Sequence, residues 1–286
     1  MNQFATTRLF GVALAVLLAA GCAASTSDPT AQDSSTGPAS TVAVGHVHGL
    51  GVDPADGRIY VAGHHGLFRA FETGRLEQVG RSARDLMGFT VAGPATFFSS
   101  GHPDPAEQTE NPLGLTRSDD AGTTWTPVSQ GGEVDFHALE VSANTIYGLA
   151  ADGELRVSND RGLTWQSRPT PEALDIAVHP ADPALVLASV EGGTITSIDG
   201  AATFTSPAGP QLTYLSWAPD GAAYGLDLDA TLHVSTDRGA TWQPRGTIPG
   251  GRPQAITALG AGRVLAATAG GIYELRDGPS GLTRIA

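Results

Sequence analysis

Six of the eight histidines fall before residue 140, and they are the residues best suited to chemistry. The segment HVHGLGVDPADGRIYVAGHHGL (residues 46–67) carries His46, His48, His64 and His65 in two pairs; His102 and His137 follow. Neutral imidazole ligates copper, zinc, nickel or iron, and the thioether of Met87 tilts such a set toward copper, Cu(I) above all. His-x-His on a strand places both rings on one side, because alternate residues share a face. His-His cannot do so in a regular strand, whereas a loop can orient both. The spacing matches no strong metal signature, so the fold must bring these residues together.

That fold is written in an internal repeat. SDDAGTTW (118–125), SNDRGLTW (158–165), SIDGAATF (197–204) and STDRGATW (235–242) align, with their serines 38 to 40 residues apart. An Asp in such a turn accepts hydrogen bonds from its own backbone, and Gly supplies a left-handed position. The Trp then packs between neighbouring sheets. Asp120, Asp160, Asp199 and Asp237, with Trp125, Trp165 and Trp242, are therefore structural. The third copy departs, with Asp199 and Gly200 adjacent and Phe204 in place of Trp.

Around each box the order strand, turn, strand, Gly-containing loop, strand, box, strand recurs. The first strands read HGLGV (48–52), MGFTV (87–91), HALEV (137–141), LDIAV (174–178), TYLSW (213–217) and QAITA (254–258). Period-two alternation, Gly/Asp turns and few helix signals give an all-β chain. Six four-stranded antiparallel units of about 40 residues closing in a ring make a six-bladed β-propeller.

The pattern S-x-D-x-G-x-T-W resembles the Asp-box, or BNR repeat, of bacterial sialidases, sortilin-like domains and the photosystem II assembly factor propellers. The run HxHGL…HHGL…MGF…GHPD is similar to that of small exported bacterial propellers labelled glycosyl hydrolase. The resemblance spans nearly the whole domain after residue 40. It implies a propeller, and it leaves open hydrolysis of a glycan or sialoside and a protein-binding scaffold for an envelope complex.

In a propeller, the start of each first strand shares one face with the loop joining strands two and three. His46 and His48 open blade 1, and His64 and His65 sit in its second loop. Met87 and His137 take the place of His48 in blades 2 and 3. His102 lies in the long loop GHPDPAEQTENPLG (101–114), a candidate lid, with Asp104 beside it. The six histidines and Met87 are expected to hold a transition metal, copper or zinc, with Asp104 as a direct or supporting ligand. Burying several imidazoles together without a ligand is costly. His179 and His233 fall elsewhere.

Catalytic machinery is harder to find. No arginine motif for a sialic carboxylate stands near the N-terminus, and the five tyrosines sit at positions that repeat between blades. Asp85, Asp104, Glu107, Glu133 and Asp135 can reach the histidine face, but no pattern pairs them as a glycosidase requires. The balance favours binding over catalysis.

The ends and composition set the location. Arg8, an apolar run over 9–20 and LAAGC at 18–22 read as a lipoprotein signal peptide (1–21) preceding a lipidated Cys22. Cys22 is the single cysteine, which excludes an intramolecular disulfide. Residues 22–40 read as a flexible tether and 41–286 as the propeller, facing the extracytoplasmic side as a monomer on the membrane. The chain contains no lysine and has a formal charge of −13, which disfavours nucleic-acid binding.

Overall fold

The computed structural model describes residues 44–169, 172–277 and 281–286. The signal peptide, Cys22 and the tether lie outside the described residues. Every regular element among the described residues is a strand, and the strands form six antiparallel meanders in sequence order. Six blades thus stand in a ring, a six-bladed β-propeller. Their inner strands are Val47–Val52, Asp85–Gly93, Phe136–Ser142, Ala173–Val178, Tyr214–Trp217 and Pro253–Gly260.

Five blades have four strands. Blade 4 has three, its outermost strand reduced to one bridge between Thr194 and Ala208. Pro207 lacks an N–H, and Gly209 takes a positive φ of 79° just beyond the bridge, so the ladder does not extend.

The apolar core is divided six ways, one cluster at each junction between neighbouring blades. Leu67 of blade 1 packs with Leu86 and Phe97 of blade 2, and Leu155 of blade 3 packs with Ile176 and Ile195 of blade 4. A sheet buried on both faces needs near-continuous apolar strands, hence VLASV (186–190), buried throughout. The ring closes between blades 6 and 1 through a cluster containing Val47, Leu50, Leu265 and Ile272. Two side chains reinforce it: Gln254 Oε1 accepts the Val47 N–H at 3.1 Å, and Thr257 Oγ1 donates to Leu50 O at 2.6 Å.

All four boxes fold alike. In the second, Asp160 accepts the Thr164 hydroxyl (2.6 Å), the Thr164 N–H (2.9 Å) and the Ser158 hydroxyl (2.7 Å). These bonds hold its carboxyl near 2, as they do for Asp199 and Asp237. Each turn uses two consecutive left-handed residues, Arg161 and Gly162 here. The divergent third copy keeps that geometry with the order reversed, Gly200 then Ala201.

Candidate metal centre at the propeller mouth

One irregularity recurs at the mouth end of the inner strands. In blades 1, 2, 3, 4 and 6 the ladder slips there, leaving His48, Met87, His137, Leu174 and Gln254 out of register. A β-bulge frees a residue from the ladder and re-aims its side chain. Two residues earlier stand His46, Asp85 and Asp135 in blades 1 to 3. Blade 1 thus presents H-x-H, blade 2 D-x-M and blade 3 D-x-H at one structural position.

The first set gathers on blade 1. The His64 N–H donates to His46 O across the open end of the hairpin, at 3.2 Å. A Cβ at Gly63 would collide with that same carbonyl, so glycine permits the approach. His46, His48 and His64 each offer a ring nitrogen, and these atoms all lie within 4.8 Å of one another. Asp85 reaches in from blade 2, with Oδ2 2.9 Å from His64 Nδ1 and Oδ1 3.4 Å from His48 Nε2.

These contacts leave buried polar atoms unsatisfied. His64 Nδ1 also lies 3.4 Å from His48 Nε2. As a donor it satisfies Asp85 and offers His48 nothing; as an acceptor it turns a lone pair toward the carboxylate. His46 Nδ1 and Asp85 Oδ1 are buried without a hydrogen-bond partner. Burial, then repulsion from His46, brings His48 down to about 4 against the pull of Asp85. Burial, then His64, also lowers His46. Both rings are therefore neutral near pH 7, the form that ligates a metal.

The second set spans blades 2 and 3. Asp135 Oδ2 lies 3.0 Å from His137 Nε2 and 3.5 Å from His102 Nε2. Asp135 Oδ1 is buried and has no partner. His102 is the cross-strand neighbour of Asp85, and its Nδ1 meets Asn111 Oδ1 at 2.7 Å. The hydrogen bond from His137 to Asp135 outweighs burial and raises the His137 pKa.

The remaining expected residues fall as follows. Met87 is half-buried and lines the central channel with His48 and His137. The exposed His65 ring lies 6.4 Å from the His64 ring, outside the trio. Asp104 faces away: its carboxylate accepts the Ala83 N–H (2.7 Å) and the Ala106 N–H (2.9 Å), which hold its pKa down. With Glu107, which accepts from Arg84 Nε (2.8 Å) and Ser82 Oγ (2.8 Å), it straps the 101–114 loop to the segment entering blade 2. His102 ends the strand Thr96–His102 from which this loop departs. His179 packs edge-on to Trp217, and His233 pairs with Asp227 at 3.0 Å.

Below the mouth runs the channel, a cavity of about 430 Å³ whose lining includes Glu140, Asp175 and Tyr214. Among the described residues no arginine lines it. Burial pushes Asp175 up to about 7, although the Leu215 N–H bonds it at 2.7 Å. Burial, with the charge of Asp175, raises Glu140 well above the usual carboxylate range.

No protein-family model and no curated protein matches the chain. Solved structures do. An ancestral GH74 enzyme is 16% identical with a TM-score of 0.56, over 87% of this chain and 38% of that one. The GH74 xyloglucanase of Xanthomonas campestris is 19% identical, TM-score 0.56, over 80% and 43%. A gluconolactonase of the same organism is 13% identical, TM-score 0.61, over 78% and 82%. The chain spans about two fifths of the length of the two GH74 structures. At such identities the likeness is one of fold alone.

Proposed function

We propose that this chain is an exported, lipid-anchored propeller that binds a transition metal at its mouth, with His46, His48 and His64 as ligands and Asp85 beside them. One observation carries the reading: three imidazole nitrogens lie within 4.8 Å, where His46 Nδ1 and Asp85 Oδ1 are buried and unpartnered. An unsatisfied buried polar atom costs about 1–3 kcal/mol, so a fold that keeps several together needs a ligand to repay them. The donors favour copper first, with Met87 on the same channel lining as His48 offering a thioether for Cu(I), and zinc second. Metal analysis of the purified full chain, followed by titration with Cu(II), Cu(I) and Zn(II), tests it. Stoichiometric binding lost in His48→Ala and His64→Ala, with the fold retained, supports the reading. No stoichiometric metal under oxidising or reducing conditions refutes it, and a panel of glycosides and sialosides then tests the hydrolytic alternative.

A further inference from the structure

The mouth contains more donors than one ion can use. Asp85 and Asp135 both point into it, and among the described residues their partners within ion-pairing distance are histidines only. No arginine pairs with either carboxylate among the described residues. Arg84, on the segment leading to Asp85, is held by Glu107.

We propose that His102, Asp135 and His137 form a second metal position, separate from the trio on blade 1; the inference rests on the metal reading of the mouth. Its geometry is set by a tautomer. The Asn111 carbonyl oxygen only accepts, so His102 Nδ1 carries the proton and donates to it across 2.7 Å. His102 Nε2 then presents a lone pair toward Asp135 Oδ2, 3.5 Å away. In the neutral ring two acceptors thus face each other, and a metal cation between them satisfies both. His137 Nε2 approaches the same oxygen at 3.0 Å, and Asp135 Oδ1, buried and unpartnered, remains to complete a bidentate grip. An imidazole whose far nitrogen donates to an oxygen is the usual supported metal ligand.

The two positions differ in chemistry. Three imidazoles make the blade 1 set nitrogen-rich, whereas two imidazoles and a carboxylate, with sites left for water, suit a divalent cation such as Zn(II), Co(II), Fe(II) or Mn(II). The pieces also come from different elements. The trio lies on one hairpin, while the second set joins the 101–114 loop region to the start of the blade 3 inner strand.

Equilibrium dialysis of the full chain against Zn(II), with Co(II) absorption as a spectroscopic reporter, tests the inference. The wild type should take up two equivalents. His102→Ala/His137→Ala should keep one, and His46→Ala/His48→Ala should keep the other with a different Co(II) spectrum. Asn111→Ala, which leaves every ligand in place, should weaken the second equivalent alone by roughly 10–100-fold. Asp135→Asn, nearly isosteric, supplies the same test if the double variant fails to fold. One equivalent in the wild type, lost on the blade 1 substitutions and untouched by the others, overturns the second position and leaves the first. Loss of all metal in either double variant shows one shared site and also overturns it. No metal in any form refutes both readings.

Discussion

Asp85→Asn separates a metal site from a structural ion pair, because the two readings predict opposite signs. In the metal-free protein at pH 8 the His46 and His48 rings, both lowered by burial, are neutral and form no ion pair with the carboxylate. It has one good contact, to His64 at 2.9 Å, and one buried oxygen with no hydrogen bond. An amide there accepts from His64 and donates to the His48 Nε2 lone pair. Losing the charged acceptor costs about 1 kcal/mol, and satisfying the orphaned atom returns about 1–3 kcal/mol. The net is about 1 kcal/mol of stabilisation, or about 2–4 °C in Tm for a domain of this size. Metal at 100 times its Kd stabilises the wild type by about 2.7 kcal/mol. That corresponds to about 5–10 °C, and most of the shift should vanish in the variant. Calorimetry with chelator and with Cu(II) or Zn(II) measures both arms. A metal-free variant that melts below the wild type, with an undiminished metal shift, refutes the reasoning.

Other consequences follow from the channel, the boxes and the ring closure. Asp175 keeps its proton in the folded state to about pH 7, whereas the unfolded chain loses it near 3.8. Stability is therefore drained as pH rises between these values, by at most about 4 kcal/mol. Asp175→Asn should gain on the wild type across that window in Tm against pH, and a constant difference would contradict it. The depressed carboxyls of Asp160, Asp199 and Asp237 act in the opposite sense, contributing stability above about pH 3.8 that is lost as pH falls toward 2. Asp160→Asn should flatten the acid limb, and an unchanged acid midpoint would count against the box as a stabiliser. Thr257→Val removes the bond across the closure between blades 6 and 1, and should lower the unfolding free energy by about 1 kcal/mol in urea titration with no change in metal uptake.

The fold was largely legible in the sequence because repeats state it several times over. Each quoted first strand overlaps the observed inner strand, and the departure at Asp199–Gly200 cost nothing, since two left-handed residues serve the turn in either order. The missing fourth strand of blade 4 was harder to see, being a matter of Pro207 and Gly209 at one edge. Within the site, the convergence of His46, His48 and His64 followed from topology. The carboxylate partners did not stand out, although D-x-M at 85–87 and D-x-H at 135–137 repeat the spacing of H-x-H at 46–48. Asp104 drew attention by proximity to His102, whereas the backbone amides of Ala83 and Ala106 claim it. Sequence proximity says nothing about which way a carboxylate faces, and bulges leave no composition signal.

The six-fold repetition supplies its own control on function. In blades 5 and 6 Gln211, Thr213 and Gln254, at corresponding positions, bond to the backbone. Gln211 accepts the Gly192 N–H and donates to Val190 O, both at 2.7 Å; Thr213 donates to Leu226 O at 2.9 Å; Gln254 accepts from Val47. Blade 4 places the exposed Leu174 there, which has no polar atom to satisfy. If blades 1 to 3 used the position structurally, their polar atoms would meet backbone too. Instead His48, Asp85, Asp135 and His137 hydrogen-bond or ion-pair only with side chains, and His46 makes no side-chain hydrogen bond. Three of the four orphaned buried side-chain atoms among the described residues belong to this sector. Equivalent strand positions carry backbone-bonded side chains in blades 5 and 6 and side chains with orphaned buried atoms in blades 1 to 3. A ligand bound at blades 1 to 3 accounts for that asymmetry.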